Sequence, residues 1–210
     1  MKTKLDESNW SRYNLFQRFD DNVNPNAIIT TEIDITNIYN YCKKNDISIY
    51  AGIGYFINGV VNKIDNFRIR REKDEFYLYD KVGIGYTENI NDDTIGFFRV
   101  DMVDSLKEYA KVFEEKRNLM FTTDHNFRSG EKKYDEIWVS CQPWYHFTSL
   151  IPPFSKGSIP QFNWDKFKIS EDKVTTNLMV CIHHGFADGS HIGKFINTLQ
   201  EDINNFKGDE

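Results

Sequence analysis

Residues 28–35 alternate apolar and polar positions and are rich in isoleucine and threonine, the pattern of a half-buried strand. Asp34-Ile35-Thr36-Asn37 follows with side chains able to cap a short helix from Ile38. A second helix is predicted over 49–64. Strands are predicted over 67–71 and 75–79, joined through Glu72-Lys73-Asp74, a length suited to a hairpin, and 82–86 and 95–100 extend the sheet. Behind Asp104-Ser105, the positions Leu106, Tyr109, Ala110 and Phe113 recur at helical spacing and predict an amphipathic helix over 105–118. A polar stretch over 126–135, with Ser129-Gly130, reads as a loop before a strand at 137–141 that Pro143 ends or bends. Residues 174–182 read as a last strand, and from Gly189 the positions Ile192, Phe195, Ile196, Leu199 and Ile203 mark a closing helix.

The 210 residues suit one globular domain able to bury a sizeable core, and no internal repeat divides them. Hydrophobic residues make up 40% and charged residues 28%, with both signs interspersed, which excludes disordered and fibrous classes. The first residues, Met1 to Glu7, are polar and give no secretory signal. The longest apolar stretch, 47–61, is broken by Gly52, Gly54, Asn58 and Gly59 and is too short to span a bilayer, so no membrane association is expected. Cys42, Cys141 and Cys181 are odd in number and widely spaced, which suits a reducing cytoplasm and small buried hydrophobes better than disulfides or nucleophiles. A net charge of −6 disfavours nucleic acid as a partner. The basic runs Arg68-Ile69-Arg70-Arg71 and Lys132-Lys133 sit among acidic residues and read as solvated faces.

Chemistry concentrates at the junction of the last strand and helix, His183-His184-Gly185-Phe186-Ala187-Asp188-Gly189, with His191 close behind. Taken alone, the cluster admits three readings: a surface loop with satisfied histidines, a metal site of His184, Asp188 and His191, or a catalytic base. No cysteine lies nearby, and His125 and His146 stand in separate segments, which argues against metal. A histidine is partly unprotonated at neutral pH and can take a proton from an alcohol, provided something fixes its ring. Asp188 either pairs with an arginine that braces the loop or caps the following helix; both roles are compatible.

HHxxxDG before a last helix resembles the signature of the CoA-dependent acyltransferase superfamily. Plant acyltransferases and peptide-synthetase condensation domains contain two such halves, and the 2-oxo acid dehydrogenase acyltransferase cores usually carry DHRxxDG. The length and further motifs resemble the chloramphenicol acetyltransferase family: Asn9-Trp10-Ser11-Arg12 is similar to its NWxR, Ile33-Asp34-Ile35-Thr36 to its first strand-to-helix passage, Val139-Ser140-Cys141-Gln142-Pro143-Trp144 to its VSxxPW, and Phe147-Thr148-Ser149 to the FTSF that follows. These elements keep their order over nearly the whole chain.

The resemblance implies an α+β two-layer sandwich, a mixed sheet with helices packed on one face, as a single domain over 1–210. It implies acetyl-CoA as co-substrate, a small hydroxylated acceptor such as chloramphenicol, no metal, and a homotrimer with active sites between subunits. By similarity, His184 is the general base, Ser140 donates to the oxyanion, and Asp188 pairs with Arg12 to hold the histidine loop. Trp144, Lys166 and Phe167 fall where the family contacts coenzyme A. The family's FTMGKY corresponds to Phe162-Asn163-Trp164-Asp165-Lys166-Phe167, so its threonine is Asn163 here; its tyrosine after NWxR is Phe19, and a phenylalanine of the acceptor pocket is Ile95. These three departures bear on the acceptor. Other outcomes of the same resemblance are an acetyltransferase for another small alcohol or amine, and a non-catalytic binding homologue.

Overall fold

The computed structural model describes residues 1–91, 93–122, 134–153 and 157–209. The elements run β1 (Lys2–Lys4), α1 (Tyr13–Asp20), β2 (Asn26–Asp34), α2 (Thr36–Lys44), α3 (Ile49–Val61), a 3-10 turn at Asp65–Phe67, β3 (Ile69–Glu72), β4 (Glu75–Tyr79), β5 (Gly83–Asn89), β6 (Ile95–Val100), α4 (Leu106–Thr122), β7 (Glu136–Gln142), β8 (Gln161–Asp165), β9 (Lys168–Ile169), β10 (Val174–His183) and α5 (Gly189–Asn205). Among the described residues, seven strands form one mixed sheet in the order β2-β10-β8-β7-β5-β6, with β9 on the free part of β10. The pairs β5–β7 and β7–β8 are parallel and the others antiparallel.

Side chains alternate across this sheet. Leu178 and Val180 of β10, Phe162 and Trp164 of β8, Ile137 and Val139 of β7, and Ile84 and Tyr86 of β5 face α2 to α5 and form the main core with Ile57, Phe113, Phe195 and Leu199. The helices of the main core thus share one face, as expected. The opposite face carries Met179 and Cys181, covered by Phe147, and a polar row that includes Ser140 and Asn163. Helix α1 departs from that layer: its Phe16 packs with Ile69, Phe76 and Phe186 in a second, smaller core.

Local chemistry explains where the elements stop. Asp34 Oδ1 accepts from the amide (2.9 Å) and hydroxyl (2.6 Å) of Thr36, so α2 starts two residues earlier than the periodicity predicts. Helix α3 ends at Val61 rather than 64 because the Asn62 side chain donates to the Asn58 and Val82 carbonyls and accepts from the Val82 amide, which turns the chain. The predicted strand at 67–71 begins only at Ile69, since Phe67 belongs to the 3-10 turn. The hairpin forms, but with a two-residue connection, Lys73-Asp74, because Glu72 pairs with Glu75, and it leaves the large sheet; β3 and β4 pair with β1 in a separate three-stranded sheet. The loop expected over 126–135 lies largely outside the described residues, as do Ser129-Gly130 and Lys132-Lys133. Among the described residues no helix is long and apolar enough to cross a membrane.

Two glycines inside α3 have a packing reason. A Cβ at Gly52 would lie 2.7 Å from Cys42 Sγ, and one at Gly54 would overlap the Tyr86 hydroxyl and lie 2.7 Å from its Cζ. That phenol is buried and shares a 2.8 Å hydrogen bond with Tyr109, so it has little freedom to move aside. Gly54→Ala is therefore expected to destabilise the protein by about 1–3 kcal/mol in denaturant titration, the usual range for overpacking. Gly193 in α5 has nothing within 4 Å of a built Cβ, and Gly193→Ala is expected to stabilise by about 0.5–1 kcal/mol through helix propensity. Equal effects at the two positions would refute this packing account.

Candidate active site

Strand β10 is buried along its whole length and carries the chain to His183, after which a tight turn leads to α5. The turn is held from several sides. The His184 amide donates to the Pro25 carbonyl at 2.8 Å, and the amides of Phe186 and Ala187 donate to the His183 carbonyl. Arg12 sits just before α1 and spreads its guanidinium over three acceptors: Nη2 donates to the His184 carbonyl, Nε to the Gly185 carbonyl and Nη1 to Asp188 Oδ2, each at 3.0 Å. The planar fork of arginine suits this multidirectional hold; a lysine point charge does not. The other Asp188 oxygen accepts from the amide (3.0 Å) and hydroxyl (2.6 Å) of Ser190 and faces His191 Nδ1 at 2.8 Å, so Asp188 both pairs with arginine and caps α5. The Ser190 bonds first, then His191 and Arg12, hold its carboxyl well below the usual carboxylate range. Stability from this depressed group is present above the ordinary carboxylate pKa and is lost only as pH falls through the lower folded value.

The imidazole of His184 lies parallel to the ring of Phe19, centroids 4.1 Å apart and planes 4° from parallel. Phe19 thus backs the histidine with an apolar face and no hydroxyl. His191 is engaged by Asp188, and His146 lies 3.7 Å from Asp165. His125 lies outside the described residues, and among the described residues no group of three or more His, Cys, Asp or Glu side chains could hold a metal.

A separate cleft of about 850 Å³ opens where β5, β7 and β8 end beside the start of α3. Ser140, Trp144, Lys166, Phe167 and Ile95 all line it. Trp144 is 60% exposed and Ile95 49%, so both present apolar surface to whatever enters. Ser140 lies in register with Asn163 on β8 and accepts a 2.9 Å hydrogen bond from Thr87 Oγ1, which leaves its own hydroxyl proton available to a ligand. Cys141 borders the same cleft, but burial pushes its thiol up to about 12, which is unsuited to a nucleophile.

Asn163 in turn pairs with Met179 on β10. Ser140 therefore stands level with Met179, four residues before His183 and two strands away. At about 3.3 Å per residue and about 4.8 Å between strands, the separation is roughly 13 Å along the sheet and roughly 10 Å across it. Within one chain the predicted site residues form two groups: Arg12, Phe19, His184 and Asp188 at the end of β10, and Ser140, Ile95, Trp144, Lys166 and Phe167 around the cleft, with Asn163 beside Ser140 on the next strand.

Three contributors were not legible in the chain. Thr87 lies beyond the strand expected over 82–86 and meets Ser140 only through the β5–β7 pairing. The Tyr50 hydroxyl donates to the Thr87 carbonyl from the first turn of α3. Asp165, fully buried, accepts from Thr176 Oγ1 (2.8 Å), the Asn177 amide (2.8 Å) and side chain (2.7 Å), and the Phe147 amide (3.0 Å). Burial raises its carboxyl, but the bonds from Asn177, Thr176 and Phe147 outweigh that and leave it below its ordinary value. A buried aspartate amid apolar sequence is the one signal that could have drawn attention to it.

A family model described as chloramphenicol acetyltransferase matches residues 1–200. Chloramphenicol acetyltransferases of Clostridium perfringens and Proteus mirabilis are 28% and 27% identical, over 96% and 94% of this chain and 98% and 92% of their own lengths. A solved chloramphenicol acetyltransferase has the same fold, with a TM-score of 0.82 at 24% identity over 97% of this chain and 100% of its own. A catalytic core of a 2-oxoacid dehydrogenase complex from Thermoplasma acidophilum shares the fold at a TM-score of 0.70 and 14% identity, over 97% and 99%. With a match from the first residue through the histidine turn and into the last helix, the chain belongs to the chloramphenicol acetyltransferase family.

Proposed function

We propose that this protein transfers the acetyl group of acetyl-CoA to a hydroxyl of chloramphenicol or a similar small xenobiotic. The observation that carries the reading is the three-point hold of Arg12 on the turn that presents His184, a degree of fixation that an incidental surface histidine does not need. His184 takes the hydroxyl proton as the acceptor oxygen attacks the thioester carbonyl carbon directly. The resulting oxyanion is met by the Ser140 hydroxyl. Collapse breaks the carbon–sulfur bond, and the departing thiolate takes the proton from the imidazolium, leaving an acetyl ester and free CoA. The cleft lined by Trp144, Lys166 and Phe167 takes coenzyme A, with apolar surface for its chain and the lysine for its anionic groups.

Because His184 and Ser140 stand so far apart in one chain, the working site is built between copies, with His184 from one and Ser140 from the next. A homotrimer closes such a head-to-tail contact. A second reading concerns only the acceptor: Phe19 carries no hydroxyl, Asn163 offers an amide beside Ser140, and Ile95 is aliphatic. Those features favour acceptors, including other small alcohols or amines, that need no phenolic partner. They leave the reaction unchanged. A cytoplasmic location accords with three free thiols, Cys42, Cys141 and Cys181.

Release of free thiol from acetyl-CoA in the presence of chloramphenicol is the direct assay. His184→Ala is expected to lower turnover roughly 10²- to 10⁴-fold, the range for loss of a general base. Ser140→Ala is expected to lower kcat by a factor equivalent to about 2.7–4 kcal/mol with both KM values little changed. Wild-type kcat in either variant would remove that residue from the mechanism. Co-assembly of the His184→Ala and Ser140→Ala chains is expected to recover activity, because some interfaces then join an intact histidine to an intact serine; no recovery would place both groups in one chain. Arg12→Ala is expected to lower stability by roughly 1.5–3 kcal/mol, from lost charge-assisted hydrogen bonds, and to lower kcat as well. Unchanged melting and rate would discard the clamp.

A further inference from the structure

The first histidine of the pair has no part in the reaction just described, yet it is the more deeply buried. His183 is 2% exposed, and its ring stacks on Phe16 with centroids 4.8 Å apart. Its Nδ1 accepts the Gly185 amide at 3.0 Å, across the turn that carries His184. Accepting there requires a lone pair on Nδ1, so the ring proton belongs on Nε2. Nε2 faces Asp20 Oδ1, at the end of α1, at 3.4 Å, and neither atom has a nearer partner among the described residues. The other Asp20 oxygen accepts from Arg71 Nη1 of β3 at 2.8 Å.

We propose that His183 is a positioning residue: its Nδ1 fixes the Gly185 amide, while Asp20, itself held by Arg71, keeps the ring proton on Nε2, so that the turn offers His184 in one orientation. The proposal rests on the reading of His184 as the base. Arg71 belongs to the arrangement because its Nη1 donates to Asp20 Oδ2 and so holds the carboxylate against the His183 ring. A second proton on His183 would turn Nδ1 into a donor aimed at the Gly185 N–H, two donors facing each other in a buried site. The turn would then open, and His184 would lose its alignment.

The charged and titratable groups bearing on the ring are Asp20 from α1, Arg71 from β3 and the neighbouring His184. Burial lowers the tendency of His183 to take a proton, and the Asp20 charge opposes that. The neutral, accepting form is thus the one the interior favours. Its proton-binding range stays below the ordinary histidine value, so the loss of alignment falls on the acid limb of the rate profile.

The test combines kinetics with ¹⁵N NMR of histidine-labelled protein. The wild-type spectrum is expected to show His183 as the neutral Nε2–H tautomer at neutral pH and above. His183→Leu is expected to lower kcat roughly 10-fold or more through misalignment, with KM for acetyl-CoA unchanged because the cofactor cleft lies elsewhere. His183→Asn, whose amide oxygen stands where Nδ1 stood, is expected to recover most of that loss. Asp20→Ala is expected to move the acid limb of kcat/KM and to change the tautomer signal. An Nδ1–H or doubly protonated His183 in that pH range, or wild-type kcat in a folded His183→Leu, would overturn the proposal. If His184→Ala is inactive while His183→Leu is fully active, the base stands and only the positioning role falls. If His184→Ala keeps full activity, both readings fall together.

Discussion

All ten residues of β10 are buried, so every backbone donor and acceptor along it must find a partner inside the protein. It pairs with β2 on one side and with β8 and β9 on the other. Because side chains alternate along a strand, this single element divides the molecule: Leu178 and Val180 build the core beneath α2 to α5, while Met179 and Cys181 join the opposite face. A one-residue slip would exchange the two sets and bury the wrong face. The same strand carries His183 and His184 at its end, and through β8 its register sets how far Ser140 stands from them.

Several buried polar groups near these strands are satisfied by side chains that reach backbone, which holds the turns and segments around the site. Arg12 meets two carbonyls and a carboxylate, Arg70 donates to the carbonyls of Phe67, Ile69, Tyr134 and Glu136, and Asp165 collects donors from two other segments. Burial, opposed by the charges of Tyr79, Glu136 and Asp135, lowers Arg70 to about 9, yet four carbonyl acceptors make the site suited to a guanidinium. Removing one partner from such an arrangement leaves the others buried and unpaired, a heavier penalty than the bond itself is worth.

The histidine turn and the cleft sit at separate places on the sheet. Phe19 gives His184 one apolar wall, and the cleft gives a ligand Trp144, Phe167 and Ile95. In the reaction proposed above, an acceptor held against His184 meets a thioester held beside Ser140 across a contact between copies. The residues that depart from the family pattern lie outside the clamp that holds the turn: Phe19 against His184, Ile95 in the cleft and Asn163 in register with Ser140. On the proposed reading, selectivity for the acceptor can therefore differ while the hold on the histidine turn stays intact.

Periodicity alone placed β2, α3, β4, β6, α4, β10 and α5 to within a few residues, because each has a long apolar pattern that matches one period. It missed β1, α1, β8 and β9. Lys2–Lys4 is polar and becomes a strand only because β4 offers it an edge, and Gln161–Asp165 is short and mixed but lies at the centre of the sheet, where Trp164 and Asp165 are both fully buried. The motifs named His184, Asp188, Arg12 and Ser140, since residue type and order are properties of the chain. The chain could not show that Thr87 and Tyr50 stand beside Ser140, that Asp20 and Arg71 stand behind His183, or that the hairpin leaves the main sheet. Those facts depend on pairings between residues far apart in sequence, which strand register and side-chain packing decide only when the chain has folded.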